Sequence, residues 1–179
     1  MRAAHRSTGR LGGEPKNVVR TVGISEMAIS DQPGDVLVTY SLGSCIGLSL
    51  YDPVARIGGL IHCMLPLSKI DPFKAQANPQ MFTDTGVPSL IQGMLEMGAS
   101  KRRLLAKLAG AANLLDDKRT FRIGERNYIV MRKILWKNSI LIAAEDTGGT
   151  MARTMYLYMA TGRTTVKSHG QERELVQPS

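Results

Sequence analysis

The sequence predicts a mixed α/β fold with several antiparallel strand pairings, and three observations carry that reading. Residues 45–51 and 60–65 are short runs of β character joined through Asp52-Pro53 and Gly58-Gly59, the pattern of a hairpin. Val87, Leu90, Ile91, Met94 and Leu95 recur at helical spacing, and Tyr128, Met131, Ile134 and Leu135 do so again. Turn clusters cut the remaining apolar runs into strand-length pieces, and no repeat of roughly 20–50 residues replaces this pattern with a solenoid.

Taken in order, residues 1–17 are basic, rich in small residues and aperiodic, which predicts a disordered tail. Residues 18–29 offer a first strand and a connection. Gln32-Pro33-Gly34-Asp35 marks a turn, and Val36 to Tyr40 carry strong β propensity. Ser41-Leu42-Gly43-Ser44 is small enough for a tight loop. Cys45 then opens an alternating run in which Ile46, Leu48 and Leu50 share one face while Cys45, Gly47 and Ser49 share the other. Leu60 to Leu65 return, with His62 and Cys63 on opposite faces, and Pro66 stops them.

Residues 67–83 hold two prolines and no period, so a loop is expected, of the length that often serves as a lid. An amphipathic helix follows over residues 84–97, with Gly98 just beyond. Residues 101–112 read as a strand entering a turn at Gly110-Ala111-Ala112. Asp116-Asp117-Lys118-Arg119 is a charged loop, and residues 123–136 resume helical spacing. Ile140 to Ala144 form a short apolar run expected as a buried strand, and residues 155–159 and 164–167 flank Ala160-Thr161-Gly162 as a closing hairpin. The expected organisation is one domain over residues 18–167 with a second tail over 168–179.

The 179 residues, 43% of them hydrophobic, are enough for one sizeable core. A net charge of +8 favours an acidic protein surface, an anionic membrane or a nucleic acid as partner. No basic motif is interleaved with aromatics to stack bases, so nucleic acid is not expected. Two cysteines build no disulfide framework, and no signal-like or membrane-spanning apolar run is present. Reduced thiols in a cytoplasmic protein are expected, without membrane insertion.

The chemistry converges on residues 39–66, which contain both cysteines and the one histidine far from a chain end, His62. If residues 52–57 are the turn, strand partners have numbers summing to about 107–109. An odd sum puts Cys45 and His62 on one face, directly opposite or diagonal, and an even sum separates them. An imidazole beside a thiol can take its proton and make a nucleophile. Amides of the loop at Gly43, Ser44 and Cys45 are candidate donors to an oxygen that turns anionic under attack. Thr39 is a candidate acceptor for the second imidazole nitrogen. The plain alternative is a buried cysteine acting as a small hydrophobe beside a satisfied core histidine. Cys45, His62 and Cys63 do not make a tetrahedral metal site, because His62 and Cys63 face apart, and neither a nucleotide loop nor a glycosidase carboxylate pair is evident.

Leu42-Gly43-Ser44-Cys45, Leu50-Tyr51-Asp52-Pro53, Gly58-Gly59, His62 with Met64-Leu65-Pro66, residues 123–127, Ala144-Glu145-Asp146 with Gly148-Gly149, and Thr161-Gly162 occur in order with compatible spacing. Together they resemble the signature of the CheD family of chemoreceptor glutamine deamidases, over about residues 18–167. Gly110-Ala111-Ala112 departs from a more glycine-rich family stretch. The resemblance implies a layered α/β sandwich with mostly antiparallel strands, similar to the deamidase domain of cytotoxic necrotising toxins. It also implies Cys45 as nucleophile, His62 as base and Thr39 as the orienting residue, with no metal or cofactor. The implied substrates are glutamines on cytoplasmic chemoreceptor helices, hydrolysed to glutamate through a thioester that could also serve ester hydrolysis. A CheC-type chemotaxis phosphatase is the implied regulator, and a non-catalytic module binding such a phosphatase is the alternative.

Overall fold

Residues 17–113 and 122–176 are described by a computed structural model. In chain order they form strands β1 (Val18–Thr21), β2 (Met27–Ser30), β3 (Asp35–Leu42), β4 (Ile46–Asp52) and β5 (Ile57–Cys63), then helices α1 (Pro72–Ala77) and α2 (Thr83–Glu96). Strand β6 (Leu105–Gly110), helix α3 (Ile123–Lys137) and strands β7 (Leu141–Thr147), β8 (Arg153–Tyr158), β9 (Arg163–Ser168) and β10 (Gln171–Glu174) follow.

The strands make two sheets, ordered β1-β3-β8-β9-β10 and β2-β5-β4-β6-β7. Among the described strand pairs, β1 with β3 and β6 with β7 run parallel and the others are antiparallel. Alternation along β4 and β5 sorts side chains into two cores. Ile46, Leu48, Leu50, Ile61 and Cys63 meet Val87, Leu90, Ile91 and Met94 of α2 and Met131 and Leu135 of α3. Leu60 and Tyr51 point the other way, to Leu37 of β3, Met155 and Leu157 of β8 and Val166 of β9. The layers are therefore sheet, sheet and helices, and every residue of β4 and β5 is buried. That is the layered, mostly antiparallel α/β architecture expected.

Helix α2 forms in spite of Pro88 inside it. A proline costs a helix about 3 kcal/mol, whereas burying Val87, Leu90, Ile91 and Met94 returns about 1.5–3 kcal/mol for each side chain. Packing decides the outcome.

Several expectations need correction. The region expected as a loop over residues 67–83 contains α1 between two single 3₁₀ turns. Asp71 caps α1 by accepting from the Lys74 N–H at 3.1 Å, and Pro72 starts it; six residues without a buried side chain are too short to show a period. The segment at 140–144 becomes β7, which is only partly buried because it forms the edge of its sheet. Within the expected C-terminal tail, Gln171–Glu174 pair with β9, and Leu175 is buried in the inter-sheet core. Residues 1–16 of the tail expected over 1–17, the charged loop at 116–119 and residues 177–179 lie outside the described residues.

Candidate active site

The hairpin of β4 and β5 has an odd register, with Ile46 opposite Cys63 and Gly47 opposite His62. Paired numbers sum to 109, so Cys45, one step before β4, lies diagonally from His62 on the same face. Cys45 ends the Gly43–Cys45 loop and does not open the strand. It is half-buried and packs against the inter-sheet core, whereas Cys63 is wholly buried on the helix side. Burial pushes the Cys63 thiol up to about 12, which makes it an inert neutral side chain.

The face that carries His62 looks across the sandwich at β3. There Thr39 Oγ1 lies 2.7 Å from His62 Nδ1, and both side chains are wholly buried. The other ring nitrogen, Nε2, is buried with no hydrogen-bond partner among the described residues, so no thiol–imidazole bond is made in this state. The His62 backbone is pinned on both sides: its N–H donates to Glu26 O at 3.0 Å, and its carbonyl accepts from Ser25 N–H at 2.9 Å.

A bulge explains how Thr39 faces inward while the chain still reaches the loop. Thr39 pairs with Met155 and Leu42 with Arg153, so β3 fits one extra residue against β8. The surplus is taken up at exposed Tyr40 and Ser41, where Ser41 has φ of 57°. Thr39 and Leu42, three positions apart, are thereby both buried.

Burial sets the charge state. His62 is pushed down to about 4 by loss of solvent. The Cys45 thiol is raised by the same cause, with its own backbone N–H pulling the other way. Thiol and imidazole are both neutral in this state, so a thiolate would form only as its proton is passed to a base.

The loop is held from behind. Gly43 and Cys45 carbonyls accept from Ala112 and Ala111 N–H at 2.8 and 2.7 Å. The expected donor Gly43 is spent, since its N–H donates to Ser41 O at 2.9 Å; the Ser44 and Cys45 N–H groups have no acceptor among the described residues. Gly110 makes this approach possible: at φ of 100°, a Cβ there would sit 2.5 Å from Cys45 O. Gly124 does the same for α3, where a Cβ would lie 2.7 Å from Ala111 O.

Sequence reasoning about the site missed Asn127. It is wholly buried on α3, donates from Nδ2 to Ser44 O at 3.0 Å and Met64 O at 3.1 Å, and accepts at Oδ1 from Thr83 Oγ1 at 3.2 Å. Its position on the buried stripe of an amphipathic helix, where an amide needs partners, was the available signal.

Among the described residues, no three His, Cys, Asp or Glu side chains are arranged to hold a metal ion, and no helix is long and apolar enough to cross a membrane. A cavity of about 400 Å³ lined by Ser49, Tyr51, Lys107, Arg163 and Glu174 contains none of Thr39, Cys45 and His62.

The arrangement gathers the kinds of group that acyl transfer uses: a thiol, a neutral imidazole held at one nitrogen, and two amide N–H groups without an acceptor among the described residues. Compared with known proteins, residues 64–168 match the family model described as CheD chemotactic sensory transduction. That match begins beyond His62, but whole-chain relatives extend across the site. "Probable chemoreceptor glutamine deamidase CheD" of Solibacter usitatus is 50% identical over 155 residues, covering 87% of this chain and 92% of the relative. "Probable chemoreceptor glutamine deamidase CheD 1" of Syntrophus aciditrophicus is 48% identical over 149 residues, covering 83% and 93%. Among solved structures, a Neisseria meningitidis protein of family DUF152 superposes with a TM-score of 0.43 at 11% identity, over 75% of this chain and 64% of that one.

Proposed function

The chain belongs to the CheD family, and from that premise we propose that it hydrolyses glutamine side chains of chemoreceptors to glutamate, with Cys45 as nucleophile, His62 as base and Thr39 orienting the imidazole. The observation that carries this reading is the 2.7 Å bond between Thr39 Oγ1 and His62 Nδ1, beside an unpartnered Nε2. With Nδ1–H donating to Thr39, Nε2 bears the lone pair on the side left for the thiol proton.

As Cys45 Sγ bonds to the carboxamide carbon, its proton passes to Nε2, and the carbonyl electrons move onto oxygen, where the Ser44 and Cys45 N–H groups receive them. Collapse of the adduct breaks the C–N bond. His62 gives its proton to the departing nitrogen, which leaves as ammonia, and a thioester remains. Water, deprotonated by Nε2, then adds to the thioester; the C–S bond breaks, the sulfur recovers the proton and glutamate is released. One water is consumed for each ammonia formed, and no step calls for a metal or redox partner.

Chemoreceptor segments exposed to the cytoplasm are the substrates in this reading, so the site of action is cytoplasmic. The net charge of +8 favours encounter with acidic receptor surfaces. A CheC-type phosphatase as a regulator rests on the family resemblance. The alternative of a purely non-catalytic binder gives no role to an imidazole held at one nitrogen and free at the other.

Mass spectrometry of receptor cytoplasmic fragments tests the reaction. Wild type should add about one dalton at each converted glutamine, and Cys45→Ala should add none. Receptor fragments left unchanged by wild type, or converted equally by Cys45→Ala, would sink the assignment.

A further inference from the structure

Asn127, wholly buried, makes three hydrogen bonds where an apolar side chain would serve ordinary packing. The Ser44 and Met64 carbonyls can only accept, so they fix which end of the amide is which; the Thr83 hydroxyl lies 3.2 Å from Oδ1 and also 3.2 Å from Leu65 O. A trans peptide is planar, with its C=O and N–H on opposite sides, and no cis bond occurs among the described residues. The Ser44 carbonyl and the Cys45 N–H belong to one such plane. Holding that carbonyl toward α3 turns the Cys45 N–H to the far side of the loop. The preceding plane is held in the same manner, by Ala112 N–H on the Gly43 carbonyl at 2.8 Å, which turns the Ser44 N–H. Of the two holds, only the one from Asn127 is made by a side chain.

We infer that Asn127 is a positioning residue for the deamidation: by gripping the Ser44 carbonyl from behind, it aims the Cys45 N–H at the oxygen that becomes anionic when the thiol adds. The inference rests on the hydrolysis proposed above. The second bond, to Met64 two residues past His62, ties the same amide to the strand that carries the base. The side chain touches no reacting atom, and the His62 ring and backbone keep their own holds from Thr39, Ser25 and Glu26.

Two rates separate this role from a merely structural one. Deamidation of a receptor fragment passes through an oxyanion; alkylation of Cys45 by iodoacetamide is substitution at a saturated carbon and does not. Asn127→Ala should lower kcat roughly ten- to a hundredfold, while KM and the alkylation rate stay within about threefold of wild type. Thr83→Val keeps the amide but removes the hydroxyl beside its oxygen, and should lower kcat roughly three- to tenfold with alkylation again preserved. If Asn127→Ala does not fold, Thr83→Val decides by the same pair of rates. An unchanged kcat, or alkylation that falls in step with deamidation, overturns the inference while leaving the proposed function standing. A wild type that converts no receptor glutamine overturns both.

Discussion

Replacing Thr39 by valine removes one hydroxyl from the inter-sheet layer at nearly constant volume, and the effect can be worked out from a single contact. His62 Nδ1 loses its partner at 2.7 Å in a place with no solvent. A stranded buried N–H costs about 1–3 kcal/mol. The ring can escape by carrying its hydrogen on Nε2, but that tautomer has no lone pair to offer the thiol. If the lost bond is what favours the reactive tautomer, about 1–3 kcal/mol translates to a fall in kcat of roughly 5- to 150-fold. The assay is the initial rate of ammonia release from a receptor fragment at saturating substrate, run alongside urea unfolding of the same preparations. Thr39→Ser, which keeps the hydroxyl, should recover most of the rate. A Thr39→Val protein that loses stability yet turns over within about twofold of wild type would refute the orienting role.

Three further outcomes are expected. His62 titrates near 6.5 in the unfolded chain and is pushed down to about 4 in the folded one, so the unfolded state binds the extra proton as pH falls between those values. Stability is then lost progressively below pH 6.5, reaching about 3 kcal/mol below pH 4, and urea titrations of His62→Asn should lack that slope. Cys63→Ala should keep kcat within about threefold and lose about 1 kcal/mol of stability; iodoacetamide should label native wild type at Cys45 alone, with Cys63 reacting only after unfolding. Gly110→Ala forces a side chain into a left-handed backbone and against Cys45 O at 2.5 Å; it should cost at least 1–2 kcal/mol, roughly, in thermal unfolding and reduce activity more than it reduces folded content.

The sequence made legible whatever is local. The hairpin could be read because Cys45 and His62 lie 17 positions apart around an evident turn, and of the odd sums the structure takes 109. Helix α2 could be read because its buried stripe is unbroken. What stayed hidden depends on layers meeting. Nothing near Thr39 says which face of β3 will look at β5, because the bulge at Tyr40 and Ser41 changes the parity of the strand just there. Asn127 stands 83 residues from Ser44, and an amide on a helix does not announce a distant carbonyl. Strand β10 has four exposed residues and hence no alternation to detect; it exists because β9 offers an edge.

The bond between Thr39 and His62 joins the two sheets, and this bears on how much of the fold the site requires. Strand β3 is flanked by β1 and β8, and β8 is supplied by the last 30 or so residues. The β4–β5 hairpin is local in sequence and brings thiol near imidazole by itself, but without β8 the strand bearing Thr39 has no neighbour on that side. On the roles proposed for Thr39 and His62, strands far apart in sequence are thus needed together before the imidazole is held, and a chain cut before β8 should release no ammonia from a receptor fragment even with its β4–β5 hairpin intact.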